Sequence, residues 1–283
     1  MKKKLYLPNT IVIGPQRCGT TWLHNYLQAR KDILLPKKTK ETHFFDTYYL
    51  KGLDWYRSFF ENTKSYRRVI EVAPTYFEKN EVTDRIRKDL GIITIICTLR
   101  NPVIRAFSLY LHLLRFGYTS LDFRSTVDKN TLILNSSLYS VHLDRWIKVF
   151  GRENVLIVFY ENLKKDQNNY IKNICTHLNI PYMPVPNNTR GKIGQATLPK
   201  YYRLAYYAQR LSEILQQYRL YPLLTLAKRL GLRELFYGRP GDTTLPELSG
   251  EDYNWFLNKV RYDIDNLENM LNMDLHEWKK QKS

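Results

Sequence analysis

The sequence has few cysteines, no long hydrophobic run and no internal repeat. Its three cysteines, Cys18, Cys97 and Cys175, lie far apart and lack the spacing of metal ligands. No run approaches the roughly 18 apolar residues that a transmembrane helix needs, and Leu5–Pro8 is too short for the core of a secretory signal. We therefore expect a soluble protein of a reducing compartment, the cytoplasm, that needs no metal.

Acidic residues are also scarce relative to basic ones. The chain has 27 Asp and Glu against 44 Lys and Arg, which gives a formal net charge of +17. Because 43% of its 283 residues are hydrophobic, the chain can bury a sizeable core, and this excludes wholesale disorder. The positive charge predicts a polyanionic partner, which could be a nucleic acid, a membrane surface, a nucleotide or an acidic polysaccharide.

Short apolar strands alternate with amphipathic helices in the first two thirds of the chain. The predicted strands are Asn9–Gly14, Val69–Val72, Ile92–Leu99 and Val155–Tyr160. The predicted helices are Thr20–Arg30, Pro102 to about Arg115, Leu138–Phe150 and Gln167–Leu178. This alternation predicts an α/β fold with three layers, in which a parallel sheet is covered by helices and binds ligands at the carboxyl ends of its strands.

The last third of the chain has a helical pattern. Lys200–Arg229 is a basic stretch rich in Tyr and Leu, and Ser249 can cap a final helix over Asp252–Trp278. Because no polar linker divides the chain, we predict a single domain over 1–283, with an α/β core at 8–195 and a helical C-terminal part at 196–283 packed on it. Peripheral contact with a membrane through 200–239 stays open as one use of the excess charge.

The first predicted strand leads into its helix through the loop Gly14–Trp22. Backbone N–H groups at such a helix start can bind an anion, Thr20 and Thr21 can donate hydroxyls, and Arg17 can contact phosphate or sulfate oxygens. The spacing is that of a Walker loop with Thr20 in place of the usual lysine, and no apolar strand ends in a Walker-B aspartate. Both departures argue against a P-loop kinase, which remains an alternative.

A second candidate anion site, Arg100–Ser108, follows the most apolar strand. Asn101 can cap the next helix, Pro102 can start it, and Arg105 and Ser108 share one of its faces by their i, i+3 spacing. Two anion sites at the carboxyl ends of two strands fit a nucleotide that carries phosphate at both its 5′ and 3′ ends.

Both segments resemble motifs of the sulfotransferases that use 3′-phosphoadenosine 5′-phosphosulfate (PAPS). Gly14–Trp22 is similar to their 5′-phosphosulfate loop, and Arg100–Ser108 matches their 3′-phosphate motif, Arg-x-Pro-x-x-Arg-x-x-Ser. The resemblance implies the P-loop-like sulfotransferase fold, with PAPS as co-substrate and adenosine 3′,5′-bisphosphate (PAP) as product. It implies that the nucleotide is bound by Arg17, Cys18, Gly19, Thr20, Thr21, Trp22, Arg100 and Ser108, with Arg105 a further candidate.

The segment Lys40–Asp46 resembles the Lys-Glu-x-x-Phe-Phe-Asp stretch of heparan-sulfate-type sulfotransferases. That resemblance implies that Glu41 is the general base and that His43 lines the acceptor site, with His43 as the alternative base. One position departs from the family, because Val72 stands where many relatives carry an active-site lysine. Either Lys38, Lys40 or Lys192 replaces that lysine, or the acceptor chemistry differs.

A further likeness, over Asn188–Gly191, implies that Arg190, Gly191 and Lys192 close over the nucleotide. The sequence as a whole predicts sulfuryl transfer from PAPS to a hydroxyl of a carbohydrate or glycolipid, with no nucleic-acid partner. The alternatives are a kinase-like nucleotide enzyme and a basic protein that binds nucleic acid or a membrane surface.

Overall fold

A five-stranded parallel sheet forms the centre of the protein, in a computed structural model that describes residues 6–61, 66–187, 202–218 and 245–282. The strand order is β2-β3-β1-β4-β5. The strands are β1 Thr10–Ile13, β2 Ile33–Leu34, β3 Arg68–Val72, β4 Thr94–Leu99 and β5 Val155–Phe159. The predicted parallel sheet is confirmed, since all four strand pairs are parallel. The two-residue edge strand β2 was not predicted, because it is too short to give a pattern.

Twelve α-helices lie in the described residues. They are α1 Thr20–Gln28, α2 Leu53–Arg57, α3 Asn80–Leu90, α4 Pro102–Arg115, α5 Phe123–Lys129, α6 Thr131–Asn135, α7 Tyr139–Phe150, α8 Tyr160–Lys165, α9 Gln167–His177, α10 Tyr202–Gln217, α11 Gly250–Leu271 and α12 His276–Lys279. The four helices predicted for the α/β core are confirmed as α1, α4, α7 and α9, with ends that differ by no more than two residues. Of the predicted helical stretch Lys200–Arg229, the part beyond residue 218 lies outside the described residues.

Helices cover both faces of the sheet, as predicted. Along β1, Val12 points into one apolar cluster that includes Trp22 of α1 and Ile174 of α9. Its neighbours Ile11 and Ile13 point into the opposite cluster, which α4, α7 and α11 complete. Because both faces of a parallel sheet are buried, its strands are nearly continuous apolar runs, and this explains why they could be found from the sequence.

The C-terminal helix α11 packs on the core but is shorter than predicted. Ser249 caps it, and its hydroxyl accepts from the backbone N–H of Asp252 at 3.0 Å. The prediction of one helix to Trp278 is wrong, because Asn272 has a left-handed backbone (φ 49°) that ends α11. The buried carboxylate of Asp263 accepts from the backbone N–H of Ser140 at 3.1 Å, which ties α11 to the start of α7.

The helix α10 packs beside the end of α4, where a glycine allows close approach. Gly117 has φ 72°, and a Cβ there would lie 2.1 Å from the carbonyl oxygen of Tyr202. Lys51 donates to the carbonyl oxygen of Gln217 at 3.2 Å, near the other end of α10. Within the part of the chain that the structure describes, no helix combines the length and apolar character needed to cross a bilayer. The single domain over 1–283 stays a prediction.

Candidate active site

The loop between β1 and α1 depends on two glycines. Gly14 has φ 124°, and a Cβ there would lie 2.3 Å from the carbonyl oxygen of Thr98 on β4. Gly19 has φ 87° at the start of α1, and its Cβ would lie 2.8 Å from the ring of Tyr160. Both positions therefore need glycine, which lets the loop backbone pack directly against β4 and against Tyr160 at the N-terminus of α1.

Arg17 brings the two predicted phosphate motifs together. It has a left-handed backbone, with φ 77°, which is uncommon for a residue with a side chain. Its Nε donates to the hydroxyl of Ser108 at 3.1 Å, and its carbonyl oxygen accepts from the guanidinium of Arg100 at 3.2 Å. Residues 83 and 91 positions apart in the chain thus form one cationic cluster with a hydroxyl at its side.

Arg100 is held by the start of α4 and by aromatic contacts. Asn101 caps α4 as predicted, and its side chain accepts from the N–H groups of Val103 and Ile104. The Arg100 guanidinium lies 4.7 Å from the ring centre of Tyr160, a cation–π distance. The hydroxyl of Tyr139 donates to the Arg100 carbonyl oxygen at 2.8 Å, which fixes the backbone at this strand end.

Arg105 supports the phosphate loop from beneath and does not reach the surface of the site. Its side chain is fully buried. It donates to the carbonyl oxygen of Ile133 at 2.9 Å, to the hydroxyl of Ser137 and, at 3.5 Å, to the carbonyl oxygen of Gln16 in the loop. Although Arg105 shares a helical spacing with Ser108, the structure gives it a positioning contact to the loop, so direct contact with a nucleotide is disfavoured.

The remaining residues of the phosphate loop differ in which of their groups are available to a bound anion. Cys18 is fully buried, and burial raises the pKa of its thiol to about 12, so that only its backbone is available to an anion. Thr20 is buried, whereas Thr21 is exposed. Trp22 packs in the core against Tyr26, and its indole Nε1 has no hydrogen-bond partner among the described residues.

Glu41 is joined to the phosphate loop by a lysine. Lys40 Nζ donates to Glu41 Oε1 at 2.9 Å and to the hydroxyl of Thr21 at 3.4 Å. The candidate base and the candidate anion site therefore share one cation. The position predicted to lack the family lysine, Val72, is fully buried in the apolar cluster beside α1, so no side chain at Val72 contributes charge to the site.

His43 and Asp46 extend this network on the other side of Glu41. His43 Nε2 lies 3.9 Å from Glu41 Oε2, and His43 Nδ1 lies 3.6 Å from Asp46 Oδ2. Thr75 donates to the same Asp46 oxygen at 2.8 Å. Partial burial favours the neutral imidazole, but the hydrogen bond with Asp46 and the charges of Glu41 and Glu71 outweigh it and raise the pKa of His43.

The segment that carries Glu41 and His43 is anchored by Glu71, which sequence reasoning missed as a site residue. Its fully buried carboxylate accepts from the backbone N–H and hydroxyl of Thr42, at 2.9 and 2.5 Å, and from the hydroxyl of Tyr56 at 2.7 Å. Burial raises the pKa of Glu71, although these hydrogen bonds favour the ionised form. An acidic residue inside the apolar strand β3 was the available signal.

A cavity of about 900 Å³ opens between the phosphate loop, the Glu41 segment, α4 and α10. Besides Arg17, Lys40 and Glu41, its lining includes His112 of α4 and Glu213 of α10, neither of which the sequence indicated. Burial, together with the charges of Arg17, Arg115 and Lys40, lowers the pKa of His112 to about 4, so it is neutral at pH 7. The predicted residues Arg190, Gly191 and Lys192 lie outside the described residues and stay predictions.

Comparison with known proteins identifies the family of this chain. Residues 7–195 match the model of the sulfotransferase domain, so the chain belongs to the sulfotransferase family, as its motifs predicted. Its fold is the predicted one as well. A solved sulfotransferase from Alicyclobacillus acidocaldarius superposes with a TM-score of 0.69 over 98% of this chain and 100% of that chain, at 23% identity.

Two curated relatives are heparan sulfate enzymes. The chain is 32% identical over 204 residues to heparan sulfate glucosamine 3-O-sulfotransferase 5 of Mus musculus, which covers 65% of this chain and 58% of that protein. It is 32% identical over 167 residues to heparan sulfate glucosamine 3-O-sulfotransferase 6 of Homo sapiens, which covers 56% of this chain and 48% of that protein. The chain therefore spans about half the length of the curated relatives it matches.

Proposed function

We propose that the protein transfers the sulfuryl group of PAPS to a hydroxyl of a carbohydrate or glycoconjugate and releases PAP. The observation that carries the proposal is that hydrogen bonds of Arg17 and Lys40, which both line the cavity, join three sequence motifs. Arg17 contacts Ser108 and Arg100, and Lys40 links Glu41 to Thr21 in the same loop. The names of the heparan sulfate relatives support a sugar acceptor.

The residues of the loop fit a nucleotide with two phosphate groups. Gly14 and Gly19 let the loop pack directly against Thr98 and Tyr160, at the point where the backbone N–H groups at the start of α1 can bind an oxyanion. These amides and Thr21 would hold the 5′-phosphate, while Arg100 and Ser108 would hold the 3′-phosphate. Two guanidinium groups at one strand edge favour such a polyanion because their charges repel each other in its absence.

The proposed transfer needs a proton acceptor and a cation. Glu41 takes the proton of the acceptor hydroxyl, whose oxygen forms a bond to sulfur as the bond between sulfur and the 5′-phosphate oxygen breaks. Arg17 stabilises the negative charge that develops on that phosphate oxygen. The raised pKa of His43 favours its protonated form, which makes it the poorer base and supports Glu41 in that role.

Lys40 is the cation that we propose in place of the family lysine missing at Val72. Its ammonium group lies between the Glu41 carboxylate, at 2.9 Å, and the Thr21 hydroxyl, at 3.4 Å. A positive charge in this position pairs with the Glu41 carboxylate and also faces the group that is transferred. The exposed Lys38 lines the same cavity, but of these two lysines Lys40 is the one that donates to the Glu41 carboxylate.

A binding experiment separates this proposal from the kinase alternative. By calorimetry, we expect PAP to bind more tightly than ATP with magnesium, and we expect Arg100→Ala to weaken PAP binding by at least about tenfold. Arg124→Ala is the matched control, because Arg124 lies on the surface and pairs with Glu251 and Asp252. Tight binding of ATP with magnesium and none of PAP would contradict the proposal.

Contact with an anionic membrane is part of the proposal. One face of α10 exposes four large apolar residues to solvent, Leu204, Tyr207, Leu211 and Ile214, and Tyr218, directly after the helix, is exposed as well. The exposed cations Arg203 and Arg210 lie on the same helix, and the chain has a net charge of +17. We expect the protein to float with phosphatidylglycerol vesicles and Leu211→Asp to abolish this flotation, whereas no flotation of the wild type would refute the contact.

The three buried, free cysteines support a cytoplasmic location.

A further inference from the structure

The cavity beside Glu41 has two sides with different chemistry. On one side lie the phosphate loop and the Lys38–His43 segment, which are polar and mostly charged. The other side is formed by α4, α6 and the loop after α4, and its apolar residues are Leu109, Leu113, Phe116, Tyr118 and Leu132. Three of these, Leu109 and Leu113 of α4 and Phe116 at its C-terminal cap, recur every three or four positions, so they form one continuous stripe.

The apolar side of the cavity is a surface that a ligand can contact and not only a part of the hydrophobic core. Leu109 and Leu113 are nearly buried and form its floor, whereas Phe116 and Leu132 are half-buried and form its rim. Arg115 lies with its guanidinium 5.7 Å from the ring centre of Phe116, at the edge of this wall. A ligand that placed only hydrated hydroxyl and sulfate groups here would lose water contacts without replacing them by hydrogen bonds.

The charged residues around the cavity also differ between its two sides. Its described lysine and arginine residues, Arg17, Lys38 and Lys40, all belong to the polar side. On the far side, Glu213 of α10 forms an ion pair with Arg210 at 3.2 Å and accepts from the hydroxyl of Tyr118 and, at 3.2 Å, from the amide of Gln209. A polysulfated chain that crossed the cavity would therefore meet an apolar wall and a carboxylate that is already paired with Arg210.

We propose that the acceptor is an amphiphile whose sugar hydroxyl lies at Glu41 and whose apolar chain lies along the wall of Leu109, Leu113, Phe116 and Leu132. This inference rests on the proposed sulfuryl transfer and narrows its acceptor class to glycolipids. His112 stands between the two sides, on the same face of α4, where its ring can form a hydrogen bond with the sugar. The cavity volume of about 900 Å³ is at the upper end for a ligand pocket, which suits a donor and an acceptor with a tail together.

Binding of alkyl glycosides tests the apolar wall without requiring the natural sugar. Calorimetry with PAP present would compare methyl, hexyl and octyl β-D-glucoside at concentrations below those at which they form micelles. Each methylene that is buried strengthens binding by about fourfold, and burial of about two methylenes is enough for a tenfold effect. We therefore expect octyl glucoside to bind at least about tenfold more tightly than the methyl compound. Phe116→Ala and Leu132→Ala are expected to reduce this gain to less than about threefold.

Two controls keep this test separate from the proposed function. Val141→Ala removes an exposed apolar group from α7, away from the cavity, and is expected to keep the full gain from the chain. PAP affinity is measured for every variant. Failure to bind PAP would contradict the proposed function. Intact PAP binding without a gain in affinity from the alkyl chain would contradict only the proposal that the acceptor is an amphiphile. Tighter binding of an N-sulfated heparosan oligosaccharide than of octyl glucoside, unchanged in Phe116→Ala, would also overturn it.

Discussion

His112 is expected to make the stability of the protein sensitive to mild acid. The ring lies in the cavity wall, where burial and the charges of Arg17, Arg115 and Lys40 lower its pKa to about 4. In the unfolded chain a histidine has a pKa near 6.5, so the unfolded state takes up the proton first as the pH falls. The stability that neutral His112 contributes is therefore present above pH 6.5 and is lost between about pH 6.5 and pH 4.

The size of the effect follows from the difference between these two pKa values. A difference of about 2.5 pKa units, at 1.36 kcal/mol for each, gives a loss of about 3 kcal/mol when the change is complete. Between pH 7 and pH 4.5 the loss is about 2.5 kcal/mol, because His112 is then not fully protonated in the folded state. Such a loss is a large part of the stability of an ordinary domain.

Urea unfolding at pH 7 and pH 4.5 measures this loss. The wild type and His112→Gln are compared, and we expect the variant to lose about 2 to 3 kcal/mol less than the wild type between the two pH values. His276→Gln, at an exposed histidine of α12, is the matched control and is expected to follow the wild type. An equal loss in the wild type and in His112→Gln would refute the reasoning.

Three further substitutions test the geometry of the site. Gly19→Ala places a Cβ 2.8 Å from a neighbouring ring, so we expect it to lower the free energy of unfolding in urea by about 2 to 4 kcal/mol and to weaken PAP binding. Its control is Gly52→Ala, at φ 80° with nothing within 4 Å, which is expected to cost only the backbone strain. Equal costs for the two variants would contradict the steric account. Glu71→Gln breaks a buried hydrogen-bond network and is expected to cost about 2 to 3 kcal/mol and to lower kcat, and an unchanged melting temperature would argue against the anchor. Lys40→Met is expected to lower kcat by at least about tenfold in a transfer assay, and a similar loss in the exposed Lys37→Met control would show that the effect is general charge.

The parts of the site that could be predicted are those in which local sequence fixes local structure. The apolar run of β1 followed by Gly14, and that of β4 followed by Asn101 and Pro102, define two strand-to-helix turns without reference to the rest of the chain. Parallel strands place such turns at the same edge of a sheet, so the meeting of Arg17 with Arg100 followed from the fold class.

The parts that could not be predicted depend on contacts between distant segments. Helical spacing puts Arg105 and Ser108 on one face, but Arg105 is buried against α6 and the turn that follows it, while Ser108 reaches Arg17. Glu71 gained its role only because Thr42 and Tyr56 fold against it. In the sequence, the apolar wall of the cavity cannot be told from the core face of α4. Apolar residues recur with the same helical spacing whether they pack against the protein or contact a ligand.

The measurement that tests the central claim most directly is the transfer of labelled sulfate from PAPS by Glu41→Gln. Its acceptor is the compound that a screen of glycans and glycolipids selects with the wild type, and PAP affinity is measured for the same preparation. We expect kcat to fall by about a hundredfold or more while PAP binds as tightly as to the wild type, because the variant loses the proton acceptor but keeps the nucleotide site. Glu277→Gln, at an exposed position of α12, is expected to retain full activity. A rate for Glu41→Gln close to that of the wild type would contradict the assignment of Glu41 as the base.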